Sequence, residues 1–351
     1  MNSIVPIISI IIPIHNGSQW INQCFQSIFD QTALKTLKIE ICVCNDASTD
    51  DTLHLLSLWK VKFNEIGVYL NIFNNPQECG GVGYSKNKAV SISTGKYLCF
   101  QDVDDVMLPN RVLKQYETAI SLPNNTLIGS RYTRHPNNST ERYTKWANSL
   151  SEFELHTQVY TSFGPTIIMP TWFCHRELFE RVGGFQEVKE GCPEDLIFFY
   201  KHLDMGGKVY RVDEPLLVYT YHLKATTFSV KEKTIWDVRL ERLQRVVLSQ
   251  WGSFTIWNAG KQGRHFYNSL DEHNQKKVVA LCDVDKNKIG KKYEPFDAVD
   301  RKIGRPVPII SYKEAQPPFV ICVKIDLTNG DFESNLKSLN LQEGRDYVWF
   351  S

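Results

Sequence analysis

Three carboxylates, Asp102, Asp104 and Asp105, fall within four positions directly after the apolar run Tyr97-Leu98-Cys99-Phe100. Like charges that close repel, and beside an apolar strand they also lose water, so something must compensate them. An Asp-x-Asp pair at a strand end can hold a divalent cation. Mn²⁺ or Mg²⁺ prefers oxygen ligands and shares its shell with substrate phosphates. A diphosphate leaving group needs such a cation to neutralise the charge that builds as its bond breaks. The competing role is a cap, with Asp104 or Asp105 closing the helix expected over LPNRVLKQYETAI.

Other residues offer chemistry of the same kind. Asp46 in NDASTDD follows a strand, where a carboxylate can accept hydrogen bonds from the N–H of a base such as uracil. The stretch Pro13-Ile14-His15-Asn16 ends an earlier strand and supplies a ring to stack and a side-chain amide. GVGYSKNKA has glycines for close backbone approach and Lys86 for a phosphate. Glu194 and Asp195, in PED, begin the apolar helical run LIFFYKHL, as a general base or as capping acids. His222, in YTYH, follows a strand and can complete a metal shell or serve the core.

These residues need elements to hold them. Residues 7–14 read as a buried strand; the whole apolar run from Ile4 has Pro6 and Pro13 inside and is far short of the ~20 residues a spanning helix needs. A helix is expected at 18–30, a strand at 38–46, a helix after Ser48 or Thr49, and a strand at 68–73. The Gly-rich 79–93 turns into another helix, and 96–102 is a fourth strand. Strand and helix alternate, which predicts an α/β fold with a mostly parallel, doubly wound sheet. Such sheets bind ligands beyond the carboxyl ends of their strands, which puts Asp46 and the acidic cluster in one crevice.

Near residue 250 the character changes. Residues 232–250 form an amphipathic helix, and FTIWNAGKQGRHFYNSL then reads as strand, turn and helix. Asn258 stands where the first glycine of G-x-G-x-x-G belongs, and Asp283 ends the next strand, a Rossmann-like pattern. The division expected is 1–250 and 251–351. The nine cysteines are scattered without zinc spacing, as reduced core thiols would be. With no anchor or signal peptide in view, a cytoplasmic protein without membrane contact is expected. The net charge of +1 hides a run at 276–292 with six lysines against two aspartates, a solvated face or a nucleic-acid contact.

The ordered set PIHN, NDASTDD, GVGYSKNKA, DVDD, VGGF…PED and YTYH resembles family 2 of the inverting GT-A-fold glycosyltransferases over roughly residues 7–230. The resemblance implies a GT-A catalytic domain followed by the smaller Rossmann-like α/β domain. It implies that Pro13, His15, Asn16, Asp46, Lys86, Asp102 and Val103 hold the donor nucleotide. Asp104 and His222 would bind the metal, Mn²⁺ or Mg²⁺, and Asp195 beside Glu194 would be the base. Lys86 and Lys88 flank Asn87 where the family often has Arg-Asn, which keeps a phosphate contact but not bidentate geometry.

Longer stretches, among them YLCFQDVDDVMLPNRV, GPTIIMPTWFC and FTIWNAGKQGR, resemble eukaryotic glycosyltransferases that modify tRNA. That resemblance implies UDP-galactose as donor and, as acceptor, the cyclopentenediol hydroxyl of queuosine in a tyrosine tRNA. Trp172 and Phe173 are candidates to stack a splayed base, or core residues. Arg131, Arg134, Arg142, Lys145, Lys261 and Arg264 are candidates for RNA phosphates. The alternatives are a UDP-GlcNAc transferase acting on a glycan or protein, and an RNA-binding protein with an inactive site. Nothing in these patterns speaks to oligomeric state.

Overall fold

The computed structural model describes residues 6–297 and 302–351. The chain forms two compact units, residues 1–155 with 164–234, and residues 156–163 with 235–351.

The first unit is built on eight strands: β1 (Ile7–Ile14), β2 (Lys38–Asp46), β3 (Tyr69–Asn75), β4 (Tyr97–Phe100), β5 (Val106–Met107), β6 (Thr126–His135), β7 (Phe173–His175) and β8 (Lys208–Thr220). They form one sheet in the order β3-β2-β1-β4-β7-β6-β8-β5. β1, β2, β3 and β4 pair in parallel, β7 is antiparallel to both β4 and β6, and β6 and β8 are parallel. Two reversals cancel, so β6 and β8 end at the same edge of the sheet as β1, β2 and β4. That is how residues more than a hundred positions apart in sequence reach one rim.

The helices are α1 (Ser18–Phe29), α2 (Thr52–Glu65), α3 (Val82–Ser91), α4 (Arg111–Ser121), α5 (Glu141–Ser149), a short α6 (Glu154–Thr157), α7 (Arg176–Val182) and α8 (Glu194–Asp204). α1 buries Ile21, Cys24, Phe25 and Ile28, and α2 buries Leu56, Trp59 and Phe63. Phe25 meets Trp59 and Phe63 at ring-centroid distances of 5.9 and 6.2 Å. Burying each such side chain contributes about 1.5–3 kcal/mol, which holds the pair against the β-branched face of β1 and β2. The sequence expectations for β1 and β2 agree with these strands; β4 ends at Phe100, two residues early, because Gln101 and the aspartates leave the sheet as turns.

One close approach needs glycine. A side chain at Gly83 would place its Cβ 2.2 Å from the Gln186 carbonyl oxygen, and Gly81 has φ of +94° with the Val188 oxygen 2.6 Å from any Cβ. The segment before α8 therefore lies directly on the start of α3.

In the second unit, α9 (Glu232–Arg242) leads into a π-helical turn (Leu243–Leu248), followed by β9 (Phe254–Trp257), α10 (Lys261–Ser269), α11 (Glu272–Lys277) and β10 (Val278–Asp283). Short strands β11 (Lys292–Tyr293), β12 (Phe296–Asp297) and β13 (Lys302–Ile303) precede β14 (Val307–Ser311), β15 (Phe319–Ile321), α12 (Asp331–Ser338) and β16 (Tyr347–Trp349). The six-stranded sheet has the order β11-β14-β10-β9-β15-β16 and is parallel except for β11. The first strand, β9, has two parallel strands on each side, which is the Rossmann arrangement, and β11 is added antiparallel at one edge.

The division falls near 235 rather than at the expected 250. The reason is packing that the amphipathic pattern did not assign to a side: Trp236 packs against His265 and meets Phe350 edge-on, and Arg239 lies over Phe350 and donates to the Ser351 carbonyl. Asn258 adopts φ of +127° in the place of a glycine. It holds that backbone by donating to the Cys322 carbonyl at 2.8 Å and accepting from the Gly260 N–H at 2.6 Å. Asp283 accepts from the Ala259 and Asp285 N–H groups and from Lys288, so its carboxylate is filled by its own chain. Within the lysine run, Lys276 pairs with Glu272 and Lys277 donates to the Leu248 carbonyl. Lys261 and Arg264 lie exposed on α10.

Candidate active site

The carboxyl edge of the first unit's sheet collects the acidic residues. Asp102, Asp104 and Asp105 bring ligand oxygens within 4.8 Å of one another. Asp105 is wholly buried; its Oδ1 accepts from the Thr220 N–H at 2.8 Å, at the end of β8, and its Oδ2 has no partner. Burial first, then Asp104 and Asp102, push the Asp105 carboxyl well above the usual range. Asp102 is pushed up to about 7 by burial and by Asp104, Glu194 and Asp195, against the pull of Lys86.

His222 reaches Asp104 with Nε2 at 2.7 Å from Oδ2, and the Trp20 ring of α1 lies against the imidazole, tilted by 30° with centroids 5.0 Å apart. Three carboxylates, one of them with an orphaned buried oxygen, and one imidazole fit a hard divalent cation such as Mn²⁺ or Mg²⁺. The capping role is absent from α4: its N-cap is Asn110, and Asp105 is spent on Thr220. Trp20 is the residue that sequence reasoning passed over. It read as one more apolar position on α1, and its contact with His222 spans more than two hundred residues.

Asp46, at the end of β2, is enclosed. Its carboxylate accepts from Asn75 Nδ2 at 2.8 Å, Cys79 Sγ at 3.2 Å, Ser85 Oγ at 2.9 Å and the N–H groups of Gly80 and Gly81. Burial opposes ionisation, but these donors outweigh it and hold the carboxyl below its usual value. Asp46 thus anchors the turn that begins α3. His15 Nδ1 donates to the Asp46 carbonyl at 2.6 Å, and its Nε2 accepts from Asn16 Nδ2 at 3.1 Å, which fixes the tautomer. Asn16, with φ of +52°, accepts from the Thr49 N–H and donates its own N–H to Ser48. Pro13 is half-buried, and Val103 lies against Ile14 over Gly17.

Lys86 is 1 % exposed, and its Nζ lies 2.8 Å from Glu194 Oε1 and over the Phe185 ring at 5.0 Å. Burial would lower its pKa; Glu194, Asp102 and Asp195 more than reverse that and keep it charged. Sequence reasoning gave Lys86 to a phosphate, whereas its ammonium is engaged by a carboxylate that sits beside Asp195. Asp195 opens α8 next to Glu194, and its Oδ1 accepts from the Leu196 N–H at 2.7 Å. Burial and the Glu194 charge raise it to about 6, against the pull of Lys86. A carboxyl in that range can take a proton from a hydroxyl and later release it near neutral pH.

Trp172 and Phe173 do not form a stacking surface. Both have no exposure, and Trp172 packs among Phe185, Phe198 and Phe199 with its indole N–H donated to the Ile167 carbonyl. The core reading holds for both, because β7 runs through the middle of the sheet. Arg131 pairs with Asp213 at 2.8 Å, and Arg142 and Lys145 are exposed on α5. No helix among the described residues is long and apolar enough to cross a membrane.

Residues 9–183 match the family model described as glycosyl transferase family 2. The chain is 36% identical over 109 residues to a poly(ribitol-phosphate) beta-glucosyltransferase of Bacillus spizizenii, a match covering 31% of this chain and 16% of that relative. It is 28% identical over 259 residues to an uncharacterised glycosyltransferase of Rickettsia prowazekii, covering 68% of this chain and 73% of the relative. Among solved structures, S. aureus TarS 1–349 in complex with UDP-GlcNAc is similar with a TM-score of 0.52 at 17% identity, over 76% of this chain and 71% of that one.

Proposed function

Through residues 9–183 the chain belongs to glycosyl transferase family 2, its first unit has the GT-A fold, and on that premise we propose that it transfers galactose from UDP-galactose to the cyclopentenediol hydroxyl of queuosine in tyrosine tRNA. The observation that carries the donor half is the convergence of Asp102, Asp104, Asp105 and His222 on one rim, with Asp195 close enough to raise the Asp102 carboxyl. The acceptor half rests on the long stretches that resemble tRNA-modifying enzymes.

Asp104 and His222 would hold the cation, which when bound offsets negative charge on the donor diphosphate. Asp195 takes the proton of the acceptor hydroxyl. The oxygen then attacks the anomeric carbon from the side opposite the diphosphate, the carbon–oxygen bond to UDP breaks, and the configuration inverts. Lys86 keeps Glu194 neutralised, so that Asp195 does not face an uncompensated second charge. Asp46 enters as the clamp on the α3 turn, which shapes the wall where a base would lie.

The test gives the purified protein a panel of UDP-sugars with Mn²⁺ and tRNA with or without queuosine, and reads nucleoside mass. A hexose gain only with UDP-galactose and only on queuosine-containing tRNA is expected. Gain with UDP-glucose on a polyol-phosphate acceptor would favour a second reading, which the likeness to the poly(ribitol-phosphate) glucosyltransferase supports.

A further inference from the structure

Arg134 stands apart from the other cations of β6 and β8. Arg131 and Arg211 both pair with Asp213, at 2.8 and 3.1 Å. Arg134 has no carboxylate partner among the described residues. Its guanidinium instead lies 3.8 Å above the centre of the Tyr219 ring and 5.6 Å from that of Tyr132, with Nε buried and without a hydrogen bond. A guanidinium laid over a ring has its plane fixed, and a fixed plane suits a phosphate gripped by two hydrogen bonds.

Its place in the sheet gives that plane a purpose. Arg134 is opposite Tyr219 and one residue before the His135–Thr220 pair, and Thr220 is the residue whose N–H holds Asp105. The Tyr219 ring under Arg134 feels the charge of Asp105 and Asp102 as well as that of the guanidinium. Beside it, α5 carries exposed Arg142 and Lys145 with half-buried Trp146 one turn on from Arg142. Cations interleaved with an aromatic ring suit single-stranded nucleic acid better than a sugar polymer.

We infer that Arg134, laid on Tyr219, is a phosphate-binding residue of the acceptor site, and that α5 forms the basic and aromatic wall along which a single-stranded RNA acceptor runs. The inference rests on the glycosyl-transfer reading for the word acceptor, and on the geometry alone for the phosphate. The probe is a fluorescent single-stranded RNA pentanucleotide, titrated in the presence of UDP and Mn²⁺ at several salt concentrations, beside its uncharged methylphosphonate analogue.

Arg134→Gln should raise the Kd for the RNA about ten-fold, in the range for a charge-assisted contact, and should lower the salt slope by about 0.7, one single-strand phosphate. Arg134→Lys, which keeps the charge but not the plane, should recover only part of the affinity. The uncharged analogue should bind weakly to all three proteins. Melting curves recorded alongside separate a lost contact from a lost fold. Unchanged affinity and slope in a folded Arg134→Gln protein would overturn the inference. Equal displacement of the RNA by a polyuronate of matched charge would overturn the choice of RNA. Failure of the wild-type protein to bind UDP would remove the glycosyl-transfer reading while leaving the phosphate contact standing.

Discussion

The charge balance around Asp195 sets what single substitutions should do. Its carboxyl is raised to about 6, so the basic form prevails only above that pH, and kcat/KM should fall with unit slope on the acid side of about 6. Asp195→Asn should cut kcat by about 10²–10⁴-fold, the usual contribution of a positioned base, while UDP affinity measured by calorimetry stays within a factor of two or so. Lys86 acts through its neighbours. Lys86→Met leaves Glu194 buried and unpaired, which costs about 3–5 kcal/mol in a denaturant melt. It also removes the cation that opposes the rise at Asp195, so in whatever fraction remains folded the acid limb should move to higher pH. Lys86→Arg should restore the charge and most of the stability. A Lys86→Met protein with an unmoved pH profile would show that Lys86 serves the fold alone.

At the scale of elements, the close seating of residues 186–189 on the α3 turn makes Gly83 a sensitive position. Gly83→Ala would drive a methyl carbon to 2.2 Å from the Gln186 oxygen, and the backbone shift needed to relieve it costs about 1–3 kcal/mol. The displaced turn also carries the N–H donors of Asp46, so donor affinity should fall with stability in the same protein. The strands β1 and β2 and the rim residues at their ends were legible in sequence, because a β-branched run followed by Asp or Asn is a local signal. The partnership of Lys86 with Glu194 was not legible, since it joins residues 108 apart, and in sequence Lys86 reads as a phosphate ligand and Glu194 as a base or capping acid. Trp172 and Phe173 were ambiguous for a related reason: a short aromatic strand looks the same from sequence whether it lines a pocket or crosses the middle of a sheet. The second unit begins earlier than expected because residues 232–250 read in sequence as one amphipathic stripe, and a stripe does not say which sheet it will cover.

For the molecule as a whole, the acidic rim makes stability depend on pH. Asp102, Asp105 and Asp195 all titrate higher in the folded chain than in the unfolded one. Between about pH 4 and 7 the folded state thus binds more protons, so stability falls as pH rises through that window. Asp46 and Asp50 are shifted the other way, and their contribution is lost only as pH falls below their ordinary range. The metal-free protein in EDTA should therefore melt at a lower temperature at pH 8 than at pH 5.5. Mn²⁺ with UDP should raise the pH 8 value most, because binding to the folded state alone stabilises it by mass action. An EDTA-treated protein with equal melting temperatures at the two pH values, and no response to Mn²⁺, would argue against a cation at this rim.

The two strand reversals that return β8 to the working rim also impose an order in time. Asp104 leaves the ribosome 118 residues ahead of His222, and until β6, β7 and β8 have threaded into place the imidazole has no route to the carboxylates. A nascent chain halted before residue 220 carries the whole acidic cluster, with Asp105 lacking its Thr220 donor and Asp104 lacking its histidine. Competence to hold a cation is therefore acquired late in synthesis and all at once, when the last long strand of the sheet closes.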